Sequence, residues 1–563
     1  MQKFLTFFLL FACLGFAQTP YPTDYFRHPL DVTIIPSGTF GELRSNHFHS
    51  GLDIKTQQRE GLKVFAAADG YVSRIKIAHF GYGKALYITH PNGYTTVYAH
   101  LQQLSPTLEA YIKKLQYEQE TFEIEVFPNI NELPITKGDV IAFSGNTGGS
   151  GGPHLHFEIR DNNERPINPL YFGMDIKDTT KPIITEVYAY PISEDSHINT
   201  TKERQKLRLI STPNGDYTVE TIQAFGKIGF AIEANDRQDL ASNKNGVENI
   251  QTFYNGNQKF EMDFKRFSFD ESRLLNRYID YGHYTDKKER LQKLFVESGN
   301  TLSMLKNIED NGFIQVEDST ASVYKVRVKD FHNNDVWLTI NIEGVKTADV
   351  KPKEVIETPF HIYSKKANEL VNKNVSVYFP QDAFFDDFYI NFEVNNDTIT
   401  LHDDSIPLRE NFSITYDISN YKNQDSDKLY IARLVGWRNQ YTIYSKTYRK
   451  ENTLTTYNKT LGTYALTVDT VNPSIKPVNF KDGKWLSKYR FLKVKIEDEG
   501  SGISNYRATI NGKWILMEYD YKTNLLVYDF NDNVSTETKN NLKIIVTDNV
   551  GNNSTFETTF FRK

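Results

Sequence analysis

The sequence predicts an all-β protein, and three observations carry that expectation. Its 563 residues include 34 Tyr and 38 Phe, and runs rich in Val, Ile, Thr and Tyr recur along the chain. Such side chains fit a pleated, half-buried surface. Short alternating stretches are broken by Asn, Asp and Gly turns, the pattern of β-sandwich units. Asp178 to Pro182 (DTTKP) and Asp469 to Pro473 (DTVNP) read as one linker used twice, each opening a run of short strands. A chain of this length exceeds one core, and about three to four domains are expected.

Residues 1–17 form the first element. Lys3 precedes an apolar stretch from Phe4 to Phe16, with small residues at Gly15 and Ala17. This reads as a secretory signal peptide cut near Ala17–Gln18, since the apolar run is too short to span a bilayer. Cys13, the chain's only cysteine, lies inside it. Lipid attachment at Cys13 is the alternative, but Phe11 fits poorly two positions ahead of it. An exported chain without Cys13 has no disulfide and relies on packing and metal. Export to the periplasm or cell envelope is therefore expected, and no other stretch is long and apolar enough to form a transmembrane segment. The 65 basic and 71 acidic residues give a net charge of -6 with no basic tract, which argues against nucleic acid as a partner.

Residues 18–177 hold the chemistry. HFHSGLDIKT supplies His49 and Asp53 as an HxxxD pair, and GGPHLHFEIR supplies His154 and His156 as an HxH pair. The run His154 to Ile159 alternates as a strand does, so both histidines share one face while Leu155 and Phe157 take the other. Two histidines and a carboxylate with an open fourth position suit a catalytic zinc ion. The HxH histidines lie about 6.5–7 Å apart at Cα in an extended chain, against a zinc–nitrogen bond of about 2.0–2.1 Å. One can ligate while the other handles a proton. YTTVYAHL places His100 at a strand end, where a side chain can enter a cleft.

Taken in order, HFHSGLDIKT, GLKVFAAADGYV, GYGKALYITHPNGYTTVYAHL, KGDVIAFSGNTGGSGGPHLHFEIRD and INPLYF resemble the lysostaphin/LytM-type zinc endopeptidases, which cut peptide cross-links of bacterial peptidoglycan. The resemblance spans roughly residues 36 to 172. It implies a compact β-sheet peptidase domain with one zinc ion held by His49, Asp53 and His156, and His100 and His154 as catalytic histidines. Two departures stand out. Ser150-Gly151-Gly152 replaces the family's STG, a harmless change in a glycine-rich turn. A helical insertion at about 104–120 has Ser105 as N-cap, Pro106 at the first helical position and an apolar stripe of Leu108, Ile112 and Leu115; it is placed to border the cleft. His47 reads as a supporting or surface residue, and His79 and His90 as ordinary histidines. Glu158 reads as either support for the metal or a solvated strand residue.

Beyond Phe172 the chemistry stops. Residues 178–350 read as a β-sandwich with an insertion at about 268–295, in which His283 is a surface residue. Residues 354–468 form a divergent all-β unit, and 469–563 an immunoglobulin-like sandwich. The stretch from Gly226 parallels that from Leu492, and the stretch from Val328 parallels that from Val546. The acidic turns at Glu233, Asp236 and Asp239 and at Glu497, Asp498 and Glu499 suit either calcium or plain turn chemistry. A peptidase domain ending near Lys177 is expected to fold and bind zinc alone.

The expected activity is zinc-dependent cleavage of peptidoglycan peptides, in which the tail holds substrate, spaces the enzyme or meets an envelope protein partner. An export signal ending FAQ, with no recognisable Gram-positive wall-targeting module, favours a D-alanyl–diaminopimelate bond over a glycine bridge. The rival readings are a non-catalytic regulator that activates another wall hydrolase, and an adhesin with an incidental metal.

Overall fold

A computed structural model describes residues 21–174, 176–421, 425–436, 438–534 and 536–563. The expected signal segment, with Cys13, lies outside the described residues. Strands dominate throughout, and among the described residues no helix is long and apolar enough to cross a membrane.

In the N-terminal unit one sheet runs, neighbour to neighbour, through Pro36–Gly38, Leu52–Lys55, His154–Arg160, Thr95–Ala99, Lys84–Thr89, Gly70–Ile77 and Ile124–Val126. Each of these pairings is antiparallel. A three-stranded sheet of Lys63–Phe65, Val140–Ser144 and Leu101–Leu104 shares its core. The strand His154–Arg160 shows why this sequence folds so. Leu155, Phe157 and Ile159 are fully buried in that core, which by alternation turns His154, His156, Glu158 and Arg160 to the opposite face.

The insertion folds as the helix Pro106–Gln119, with Ser105 at the N-cap and Leu108 and Ile112 buried. It does not border the cleft. Lys113 Nζ and Tyr117 Oη both reach Asp532 of the last unit, at 2.7 and 2.8 Å. The helix is thus a docking strut, its apolar stripe facing the peptidase core and its polar side facing the tail.

A second core follows around the 14-residue strand Ile222–Asn235 and the strands Ala321–Lys329 and Asp335–Gly344. The segment 268–295 contributes to it: it forms short helices at Leu275–Tyr278 and Tyr281–Lys287, and Leu275, Tyr278 and Ile279 are buried among the sheet residues. His283 is buried rather than at the surface, with Nε2 2.8 Å from Glu289. Residues 360–468 build two five-stranded sheets around Phe379, Phe412 and Tyr464. Residues 474–561 build a four- and a five-stranded sheet around Leu492, Val494 and Ile544.

The seam at Lys177 is not a clean boundary. Phe40 and Phe48, which flank the HxxxD segment, are buried in the core of the second unit beside Phe264 and Phe267. The Phe48 backbone N–H donates to Ser272 Oγ at 2.9 Å. Glu248, half-buried, accepts from Asn168 Nδ2 and Tyr171 Oη, both at 2.7 Å. Burial and the nearby Asp263 push the Glu248 carboxyl up to about 8, so it stays protonated and can sit in the seam without charge. A chain cut at 177 loses all of this and bares two aromatic side chains, each worth roughly 1.5–3 kcal/mol of burial. Expressed side by side, residues 21–177 should aggregate or unfold at a lower temperature than residues 21–350; equal solubility and melting temperature would show that the seam is dispensable.

Candidate metal centre

Strand register assembles the site. In the antiparallel pairing of Leu52–Lys55 with His154–Arg160, His156 lies directly opposite Asp53. On its other side His156 pairs with Ala99, the residue before His100. Gly51 lies against the same strand: a Cβ there would come within 2.4 Å of the Phe157 carbonyl and 3.0 Å of His156 Nε2. Only glycine lets the HxxxD segment pass that close.

Three donor atoms converge. His49 Nε2 is 3.0 Å from Asp53 Oδ1 and 3.1 Å from His156 Nδ1, and His156 Nδ1 is 2.9 Å from Asp53 Oδ1. All three residues are buried. The second nitrogen of each histidine is already committed: His49 Nδ1 donates to the Thr39 carbonyl at 2.7 Å, and His156 Nε2 donates to Glu158 Oε1 at 2.8 Å. Those bonds orient both rings so that their remaining lone pairs face Asp53. Two imidazole nitrogens and a carboxylate aimed at one point need a proton or a metal cation between them, and a mixed nitrogen–oxygen set of this kind fits zinc.

His154 and His100 stand beside this triad, their rings 4.8 Å apart. His154 Nδ1 donates to the Gly152 carbonyl at 2.8 Å, which turns Nε2 inward to 3.4 Å from Asp53 Oδ1. His100 Nδ1 donates to the Thr147 carbonyl at 2.8 Å. The His100 backbone is left-handed, with φ of 58°, a conformation that costs a non-glycine residue about 1–2 kcal/mol. It lies between Thr95–Ala99 and Leu101–Leu104, where the chain passes from one sheet to the other. Burial and the neighbouring His156 and His154 press its imidazole down to about 3, leaving it neutral. Every histidine that sequence reasoning singled out for the site is therefore brought together. His47 is exposed, and His79 stacks on Phe122 at 4.9 Å, away from the triad. His90 is buried between the Asp69 carbonyl and Thr96 Oγ1, each at 2.8 Å.

Glu158 is fully buried, not a solvated strand residue. It accepts from His156 Nε2, from Ser50 Oγ at 2.7 Å, from Arg160 Nε at 2.6 Å and from the Tyr82 hydroxyl. Burial opposes its charge, but Arg160 and His156 hold the carboxyl well below the usual carboxylate range. Sequence reasoning missed Tyr82, Ser50 and Arg160. Arg160 was readable, because it continues the His154, His156, Glu158 face at the same spacing of two. Arg44 was missed as well: its Nη2 lies 3.2 Å from Asp53 Oδ2 and 3.1 Å from Glu42. Arg44, Lys55, Asp53 and His154 line a groove of about 920 Å³ beside the triad.

The last unit reaches the opposite rim. Tyr521 Oη donates to the Gly148 carbonyl at 3.2 Å, and Lys522 Nζ donates to the Ser150 carbonyl at 3.1 Å and to that of Asn146. The glycine-rich loop leading into His154 is thus held from outside the peptidase domain.

Comparison with known proteins agrees with this geometry. Residues 47–117 and 131–169 match the model of peptidase family M23. The chain carries a peptidase M23 domain. Residues 360–469 match a Zu5-like domain. The DD-carboxypeptidase/endopeptidase Mpg of Neisseria meningitidis serogroup B is 31% identical over 168 residues, 30% of this chain and 30% of that protein. The peptidoglycan DD-endopeptidase ShyB of Vibrio cholerae is 25% identical over 179 residues, 32% of this chain and 33% of that one. The chain thus spans about a third of the length of these relatives. The catalytic domain of lysostaphin from Staphylococcus simulans is 20% identical, with 25% of this chain and 93% of that one covered and a TM-score of 0.19.

Two outcomes test the M23 centre. Replacing Glu158 by Gln removes the charge facing Arg160 and weakens the hold on His156; it should destabilise the fold by about 3–5 kcal/mol and lower metal affinity by about 10–100-fold. Denaturant unfolding and competition with a metal chelator read these separately. The second concerns pH. Burial lowers the His156 pKa, but Asp53 and Glu158 outweigh it and raise the imidazole to about 9. In chelator-treated protein this group stabilises the fold fully below its ordinary 6.5, and the contribution is lost as pH rises through about 9. A metal must displace that proton, so affinity should climb about tenfold per pH unit from neutrality to about 9. Calorimetry in buffers of different ionisation enthalpy counts the released proton; a flat profile would contradict the assignment.

Proposed function

We propose that this chain is an exported zinc-dependent endopeptidase that hydrolyses peptide cross-links of bacterial peptidoglycan. The observation that carries the proposal is the convergence of His49 Nε2, Asp53 Oδ1 and His156 Nδ1 with both other histidine nitrogens already bonded. His49, Asp53 and His156 are assigned as the ligands of one zinc ion. Zinc held there would supply Lewis-acid activation of the scissile carbonyl and of the attacking water.

The rest is the work of side chains. His100, neutral at physiological pH, accepts a proton at Nε2, and the Thr147 carbonyl stabilises the cation that results by accepting from Nδ1. His154 presents its Nε2 to the same space, with Nδ1 donating to the Gly152 carbonyl. It is suited to donate to the developing oxyanion or to the leaving amine. Lys55 along the groove supplies positive charge for a carboxylate of a peptide stem, while Arg44 is held by Glu42 and Asp53. Relatives named DD-carboxypeptidase/endopeptidase and peptidoglycan DD-endopeptidase support a peptidoglycan substrate, and we assign the D-alanyl–diaminopimelate bond as the one cut. In domain terms, we assign residues 18–177 to the peptidase unit, closed off by the second unit, and the three β units after it to positioning.

Alanine variants separate the roles. Removing His49, Asp53 or His156 should lower zinc content and activity together. Removing His100 or His154 should leave zinc near one equivalent while activity falls about 10²–10⁴-fold. Elemental analysis and mass spectrometry of fragments released from cross-linked sacculi give both readouts. Zinc lost from the His154 variant but kept in the His156 variant reverses the ligand assignment. Wild-type protein that holds zinc yet releases no fragment fits a regulator of another hydrolase.

A further inference from the structure

Two rings of three aspartates recur at equivalent places in the tail, the first wholly buried and the second buried except for the half-buried Asp498. Asp178, Asp236 and Asp330 each bring a carboxylate oxygen within 4.8 Å of the others, and Asp469, Asp498 and Asp548 do the same. The origins of the two rings match. Asp178 and Asp469 head the repeated DTTKP and DTVNP segments. Asp236 and Asp498 directly follow the strands Ile222–Asn235 and Phe491–Glu497. Asp330 follows Ala321–Lys329, and Asp548 ends Lys539–Asp548. The hydrogen bonds behind the rings match as well. Asn334 Nδ2 donates to Asp330 Oδ2 at 2.6 Å and to the Asp178 carbonyl at 3.3 Å. Asn552 Nδ2 donates to Asp548 Oδ2 and to the Asp469 carbonyl, both at 2.8 Å.

Turn chemistry satisfies most of these oxygens but not all. Asp178 accepts from Thr180, and Asp469 accepts from the backbone of Val471 and Ser501. Asp236 is 1% exposed; its Oδ2 accepts from Gln238 at 2.8 Å, but its Oδ1 is buried with no hydrogen-bond partner. Asp498 is half-buried as a residue but bonds in the same way: Oδ2 accepts from Gly500 and Gly502, while the Oδ1 atom is screened and without a partner. Gly500 packs so tightly on the Asp469 carboxylate that a Cβ would lie 2.3 Å from it. Burial and the like-charged Asp178 and Asp330 push the Asp236 carboxyl up to about 8. A buried acceptor that no donor meets, facing two further carboxylates, is stable only with a proton or a cation between them.

We propose that each ring binds one calcium ion. Every donor is oxygen, which selects a hard cation over zinc, and the donors sit on turns of irregular geometry, which calcium tolerates and magnesium does not. Of the acidic turns, only Asp236 and Asp498 take part; Asp239 is bonded to Thr179 and Glu497 to Lys495. Both rings lie at joints. Asp178 and Asp236 line a small cavity together with Thr39 and Asn168 of the peptidase unit, and Asp469 closes the Zu5-like region. Calcium would therefore stiffen the tail at the peptidase and again before the last unit.

The test uses the full chain carrying its zinc. Equilibrium dialysis against calcium, followed by elemental analysis, should find about two calcium ions per chain, with magnesium a poor competitor. Asp236→Asn and Asp498→Asn should each hold about one, the double variant none, and zinc content should stay the same in all. Calcium should raise the melting temperature of the wild type and not of the double variant. In calcium-free buffer Asp236→Asn should melt no lower than wild type, because it relieves like-charge repulsion; a purely structural carboxylate would give the opposite sign. Should Asp236→Asn fail to fold, Asp498→Asn decides alone. A wild type that takes up no calcium, or variants that take up as much as wild type, overturns the proposal.

Discussion

The site rests on one constraint: a polar strand face is buried, and each polar atom on it must find a partner. The strand His154–Arg160 hides Leu155, Phe157 and Ile159 in the core, so its other face carries two histidines, a glutamate and an arginine that are themselves largely screened from water. Unpaired, such groups cost several kcal/mol each. Pairing runs down the face: Arg160 neutralises Glu158, Glu158 takes the His156 N–H, and His156 turns its lone pair to Asp53. The last link must hold either a proton or a metal cation, and this is where the proposed zinc would enter.

That network also explains why the peptidase unit is not self-contained. Arg160 stacks over Phe269, 4.6 Å from its ring centroid, and Phe269 belongs to the tail. Phe48, one residue before the proposed ligand His49, is anchored in the second core. Lys522 and Tyr521 hold the loop before His154. Three of the elements that place proposed site residues are therefore braced from outside residues 18–177. These braces tie the tail to the segments that carry the proposed site residues.

What sequence reasoning could read follows from periodicity and short range. HxxxD and HxH were legible because their geometry is local: a spacing of two in a strand fixes the shared face, and a proline after Ser105 fixes a helix start. All five proposed site residues were found this way. Glu158 stayed ambiguous because alternation assigns a face without saying what covers it; the cover comes from Tyr82 and Ser50, which are 76 and 108 residues away. The same limit hid the seam. Phe40 and Phe48 look like ordinary strand hydrophobics, and nothing near them in sequence says that their core belongs to another unit. The aspartate rings were half visible, as acidic turns, but their third members lie some 94 and 50 residues further along the chain, counted from Asp236 to Asp330 and from Asp498 to Asp548. Repetition was the usable signal, since the same spacing pattern begins at both linkers.

Register is what turns these local patterns into a working geometry. Opposite Asp53 the strand offers His156; one residue earlier or later it offers Leu155 or Phe157. A slip of one would place an apolar side chain at the metal and expose the core residues to water. The three fully buried side chains of the strand forbid that slip, at roughly 1.5–3 kcal/mol apiece, more than the 1–2 kcal/mol that the left-handed His100 costs about the same corner. Hydrophobic burial on one face thus secures the placement of charge on the other. The strained turn at His100 is tolerated because both flanking strands are paired and buried: Thr95–Ala99 against His154–Arg160, and Leu101–Leu104 against Val140–Ser144. The sheet holds the imidazole proposed to move a proton in a conformation that an isolated chain would leave.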